Sequence, residues 1–243
     1  MGILGGLLFW QITASIKLFN PIYFASLWEV LNEAVIMIRD GTIFKEMMVT
    51  IYRVFFSVLI SALIGVPLAI VIGYFIQSYR LISKLVDFLR SIPPIVMYPL
   101  MLIMLGTGDA SRIGVAVFGS VVVLVLIISK GLSQETLIRR LFNTAHGASR
   151  RQVIFHTVFF EAPPYIMVGL RTAVSLSIIV IVVTEMLVGA KYGLGIRIQN
   201  VQITNNIPDL FATIILIGLI GIGFNFMFAW FDNRFIFWCS KKS

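Results

Sequence analysis

Charge is scarce in this chain. Asp, Glu, Lys and Arg together make up 12% of its 243 residues, about half the roughly 25% of an ordinary soluble domain. Cysteine is nearly absent: Cys239 stands alone, which excludes a disulfide framework. Two histidines, His146 and His156, and that single thiol form no His/Cys cluster at metal-ligand spacing. No Gly-rich phosphate loop of the Walker type occurs, and no Ser/His/Asp set falls within one plausible site. What abounds is apolar surface: 59% of residues are hydrophobic and the mean hydropathy is +0.98. A water-soluble domain of this size could not hide that much, and a disordered chain would not contain it. Lipid is therefore the main solvent. At about 20 residues per span, the length allows roughly five to seven helices with short loops and leaves no room for a separate soluble catalytic domain.

Five spans stand out. Val54 to Ile76 carries no charge, and its Gly65, Pro67 and Gly73 are tolerated in membrane helices. Ser91 to Gly108 and Ile113 to Ser129 are likewise uncharged, as is Leu210 to Phe231. The apolar stretch from Tyr165 to Val188 contains Arg171 and Glu185. Met1 to Ile16 is apolar but short for a span. It has neither the basic start nor the cleavage pattern of a signal peptide, and it lacks the myristoylation pattern. It reads as a first membrane helix beginning at the chain start, leaving room for residues that precede Met1. The expectation is an all-α polytopic membrane protein of six spans, five of them firm, forming a single transmembrane domain over 1–243.

The net charge of +8 is explained by sidedness. With both termini inside, segments 77–90, 130–161 and 232–243 hold eleven basic residues against four acidic ones. The inverse orientation would place that excess outside, so the positive-inside rule puts both termini in the cytoplasm. A nucleic-acid partner is then unnecessary.

The longest inner loop, 130–164, reads as two helical pieces. Gln134 to Thr144 has Glu135 four residues before Arg139, a favourable helical pair. Gly147-Ala148-Ser149 breaks it, Arg150 to Phe160 forms the second piece, and Pro163-Pro164 stops that piece. Ser149 is placed to cap the second helix. In the spans, Pro93-Pro94 and Pro99 interrupt the third, as broken helices lining a substrate path do, although a packing kink explains prolines equally well. Met97, Tyr98, Met101 and Met104 follow as candidate lining residues, or as plain packing. Glu185 is either a gate or path residue or a buried acid bonded to helix ends. Arg171 reads as a snorkelling anchor. Gly114 and Gly119, with Gly218, Gly221 and Gly223, suggest close helix contacts.

Four pieces in order resemble a known family. The inner loop carries Gly147-Ala148-Ser149-Arg150, with Gln152 and Pro164 following. Leu89-Arg90-Ser91-Ile92-Pro93-Pro94 precedes Pro99-Leu100, and Gly169-Leu170-Arg171 precedes Thr184-Glu185-Met186 and Gly193-Leu194-Gly195. From about residue 45 onward the chain resembles the permease subunit of ATP-binding-cassette (ABC) importers, in the branch that takes up nitrate, sulfonate, taurine and bicarbonate and also thiamine-precursor pyrimidines. The family's Glu-Ala-Ala falls on Leu141-Phe142-Asn143, which keeps none of it, and its first loop proline falls on Phe160. These departures point either to a diverged lineage or to the weaker half of a heterodimer.

The resemblance implies a type I importer permease fold in a bacterial-type plasma (inner) membrane. It implies that His146, Gly147, Ala148, Ser149, Arg150 and Arg151 couple to cytoplasmic ABC ATPase subunits. Those subunits would bind ATP and Mg, while this chain would hold no cofactor, no metal and no catalytic residue. Further implied partners are a second permease chain, the same or related, and an extracytoplasmic solute-binding protein. The cargo would be a small anion or, as an alternative, a small heterocycle. An energy-independent channel or secondary transporter would need embedded charged machinery or a visible internal repeat, and an integral-membrane enzyme would need a His, Asp or Cys cluster at one face. Neither is evident in the sequence.

Overall fold

A computed structural model describes residues 2–16, 20, 23–74, 76–147, 149, 151–152, 155, 160–187 and 190–235. Among these no strand occurs. The helices, in chain order, are α1 (Gly2–Ser15), α2 (Leu27–Arg39), α3 (Thr42–Tyr74), α4 (Ile76–Ser91), α5 (Tyr98–Leu105), α6 (Asp109–Ala145), α7 (Ala162–Leu187), α8 (Leu194–Ile203) and α9 (Ile207–Phe235), with one 3-10 turn at Pro94–Met97. Lipid-compatible segments must satisfy every backbone group internally, which is why the apolar stretches are helical throughout.

Four stretches are long and apolar enough to cross a membrane: Thr42–Gly73, Asp109–Ser133, Ala162–Leu187 and Ile207–Asp232. The pair Ile82–Ser91 and Pro94–Leu105, bent by 85°, is apolar enough to make a broken span or a re-entrant loop. The prolines of the expected third span turn the chain there, because Pro93 and Pro94 cannot donate to the ladder. α1 stands where the marginal span was read; its 14 residues reach about 21 Å, against a hydrocarbon core of about 30 Å.

The chain packs as two compact units, one of residues 1–52 and 182–220, the other of 53–181 and 221–243. In the first unit, α2 is a capped amphipathic helix. Glu29 accepts from the Ser26 backbone N–H at 2.7 Å, and Ser26 Oγ accepts from the Glu29 N–H at 3.3 Å, a reciprocal capping box. α2 turns Val30 and Met37 inward and leaves Trp28 exposed. Ala25, Val30, Met37, Ile43, Leu194 and Ala212 form this unit's core. α1 joins it through Trp10, whose indole N–H donates to the Ala25 carbonyl at 3.0 Å.

The second unit is built around α6, which fully buries Leu124, Ile128 and Leu132. Ser120 on α6 meets Ser177 on α7 at 2.9 Å, a polar contact of the kind that joins helices in lipid. Two expectations are corrected here. Among the described residues, a Cβ at Gly218 or Gly223 of α9 would meet nothing within 4 Å, whereas Gly119 on α6 does take a close neighbour, with Pro94 where its Cβ would be. Arg171 does not snorkel alone: its guanidinium pairs with Asp232 on α9, which neutralises both charges at the apolar boundary.

Candidate functional site

The loop expected at 130–164 begins without a break. α6 runs 37 residues from Asp109 to Ala145, so the fourth span and the first loop helix are one rod. Lys130 marks the onset of charge and not the end of the helix, because a helix needs no apolar face once it leaves lipid. The chain turns at Gly147, whose φ of +77° lies in the left-handed region where glycine is unstrained. His146 is exposed and stacks on Phe142, ring centres 4.2 Å apart, with Nδ1 2.8 Å from the Phe142 carbonyl.

Beyond the turn, Gln152 Oε1 accepts from the Ser149 N–H at 2.8 Å and from its hydroxyl at 2.9 Å. The Gln152 N–H reaches Ser149 Oγ at 3.4 Å, which completes a capping box with Gln in place of Glu. Arg151 and Gln152 are helical and exposed. Ala148, Arg150 and His156 lie outside the described residues. Pro163 and Pro164 do not end the second loop helix. They sit in the first turn of α7, where a missing N–H costs nothing.

Pro93, Pro94, Met97 and Tyr98 are contiguous at the 85° bend. Pro93 is exposed, Pro94 and Met97 are half-buried, and Tyr98 is buried. The Tyr98 hydroxyl has no hydrogen-bond partner among the described residues. A buried donor left unpaired costs about 1–3 kcal/mol.

Glu185 belongs to the first unit and is fully buried at the end of α7. Its carboxylate accepts from the Gly195 N–H at 2.9 Å, and Thr50 Oγ1 lies 3.0 Å from both of its oxygens. Thr50 Oγ1 in turn accepts from the Leu194 N–H at 2.9 Å. Two orphan amides at the start of α8 are thereby satisfied, one directly and one through Thr50. A negative charge at a helix N-terminus is also favoured by the helix dipole. Gly193, at φ +140°, and Gly195 leave no room for a side chain: a Cβ would stand 2.5 Å from the Glu185 carboxyl and 2.1 Å from the Val182 carbonyl respectively.

α8 is tied a second time through Arg197. Its Nε and Nη2 donate to the two Asp209 oxygens at 2.9 and 2.7 Å, and its Nη1 donates to Glu46 at 3.0 Å. Burial would lower the guanidinium's pKa, but the bonds to Asp209 and Glu46 outweigh it and raise it. Beside this cluster, the Lys45 ammonium lies 3.5 Å from the centre of the Tyr192 ring. A hydrogen bond from Lys45, and then its charge, hold the Tyr192 phenol below its ordinary value. In the second unit, Arg53 donates to Asp109 through Nε at 3.0 Å and Nη2 at 2.7 Å.

Sequence reasoning singled out Glu185 but not Thr50, Arg197, Asp209 or Glu46. The two glycines flanking Leu194 were the one available signal of a close backbone approach.

Among the described residues, helices throughout, several of them long and apolar enough to cross a membrane, a sharply bent apolar pair and a Gly-broken loop define a polytopic membrane component. Residues 65–237 match the family described as binding-protein-dependent transport system inner membrane component, and the chain belongs to that family. The taurine transport system permease protein of Escherichia coli is 27% identical, covering 79% of this chain and 71% of its own length. The bicarbonate transport system permease protein of Synechococcus elongatus is 26% identical, covering 96% and 86%. A solved inward-facing structure of the MetNI methionine ABC transporter superposes with a TM-score of 0.62 at 23% identity, covering 76% of this chain and 92% of the other. The fold is that of type I importer permeases, and the chain is an ABC importer permease subunit, not an enzyme.

Proposed function

We propose that this permease subunit docks a cytoplasmic ATPase through the 130–164 loop and imports a small anion of the nitrate, sulfonate, taurine or bicarbonate kind. The observation that carries the docking is the build of the loop. A rigid helix ends at a left-handed Gly147, and a second helix starts at the Ser149–Gln152 capping box. A membrane subunit driven by a soluble motor needs such a rigid, sharply turned piece to fit a groove. Arg151 is exposed beside it to pair with acidic groups of the ATPase. The ATPase holds ATP and Mg, and a second permease chain completes the path. A solute-binding protein delivers cargo from outside, and both termini of this chain face the cytoplasm.

The cargo assignment is supported by the chain's similarity to permeases of taurine and bicarbonate transport systems, cargoes that share a small anionic group. Along the path, the bend at Pro93 and Pro94 supplies irregular backbone, and Tyr98 supplies a hydroxyl, where Met97 and its neighbours are apolar. Glu185 acts at one remove, by fixing the start of α8.

The loop is tested by two variants at Gly147. Asn tolerates the left-handed region and Val does not. In the assembled transporter, G147N retains most transport-coupled ATP hydrolysis, and G147V loses transport while ATP hydrolysis persists and the complex still assembles. Unchanged transport in G147V overturns the docking assignment.

A further inference from the structure

We propose that α4 and α6 hold one anionic phospholipid, its phosphate against Arg90 and Lys130 and an acyl chain along α6. Two cavities of the second unit meet at these helices. The first, about 300 Å³, is lined by Ser83, Asp87 and Arg90 of α4 and by Ser129 and Lys130 of α6. The second, about 340 Å³, is lined mainly by apolar side chains, among them Pro94, Phe118, Val122, Leu126 and Leu176. Arg90 and Leu126 line both. A chamber bearing charged groups, with Ile72, Val86 and Leu126 also in its wall, thus adjoins a mainly apolar one, the division found within an amphiphile.

Size decides between occupants. Each cavity is roughly ten times the volume of a water molecule in the liquid, far more than a nitrate-sized anion needs. Along α6 the lining runs from Lys130 to Phe118. At about 1.5 Å per residue that is about 18 Å, close to one leaflet of a hydrocarbon core about 30 Å thick. Charge agrees. Asp87 lies 3.3 Å from Arg90 and offsets part of its charge, and Lys130 leaves the chamber positive. Basic pockets between membrane helices on the cytoplasmic side suit anionic headgroups. A small anion would leave the apolar chamber empty, and a zwitterionic lipid would bring its own cationic headgroup beside Arg90 and Lys130.

The test uses the whole transporter in nanodiscs of phosphatidylcholine with a minor fraction of phosphatidylglycerol. The complex retains phosphatidylglycerol above its bulk fraction through detergent purification. R90Q and K130Q, both at exposed positions, each lower that retention roughly five-fold and leave phosphatidylcholine unchanged. V122W, which fills the apolar chamber, lowers it as well if the complex assembles. Equal retention in R90Q/K130Q overturns the proposal. So does displacement of the lipid by millimolar nitrate or taurine, which would make the cavities part of the cargo path. A disulfide between copies carrying V123C also overturns it, because the groove would then be covered by a second permease chain.

Discussion

Glu185 and the glycines around it show how a buried carboxylate is retained in lipid. Its cost is offset by two donors, the Gly195 N–H and the Thr50 hydroxyl, and Thr50 in turn accepts from the Leu194 N–H. Removing it strands the Gly195 amide and the Thr50 hydroxyl, each worth about 1–3 kcal/mol when left buried and unpaired. E185A is therefore expected to lower the thermal midpoint of the detergent-solubilised chain substantially, by about 3 kcal/mol in stability. E185Q keeps the shape and one acceptor and costs less. G195A, whose added methyl would lie 2.1 Å from the Val182 carbonyl, is expected to match E185A or exceed it. A scan of melting midpoints across the three variants checks the order. If E185A melts with the parent, the carboxylate does not hold α8.

At the scale of elements, helix ends carry chemistry that can be titrated. The Ser26 backbone N–H, and then its hydroxyl, hold the Glu29 carboxyl below its ordinary 4.5. Because the folded value is depressed, the stabilisation is complete above the unfolded value and is lost as pH falls through the folded one. Amide exchange in α2 should therefore be faster in E29Q than in the parent at neutral pH, and the difference should shrink as the pH is taken below the ordinary 4.5. Much of the element pattern was legible beforehand. Runs such as Val54 to Ile76 and Leu210 to Phe231 lack charge and could only be spans, and Ser149 preceding a helix could be read as a cap. Three things were not legible. The bend at Pro93 is 85°, and two prolines announce a turn but not its angle. α6 passes Lys130 without stopping, because the onset of charge reports a boundary of solvent and not of hydrogen bonding. The partners of Glu185 and Arg197 lie up to 151 positions away, beyond anything periodicity can register.

At the scale of the whole molecule, sidedness is the testable property. If the C-terminus faces the cytoplasm, as proposed, alkaline phosphatase fused after Ser243 stays inactive and a green fluorescent protein at the same point fluoresces. The opposite pair of results reverses the orientation. The molecule also has a mechanical consequence. α6 begins at Asp109, which Arg53 grips, and runs 37 residues to Ala145, just before the Gly147 turn. That is a stiff beam of about 55 Å. Rotating it by about 5° about one end sweeps the other through about 5 Å, nearly one helical turn of pitch. A small push where the beam leaves the bilayer is thus delivered as a large stroke at its far end, with no joint along it to absorb the motion.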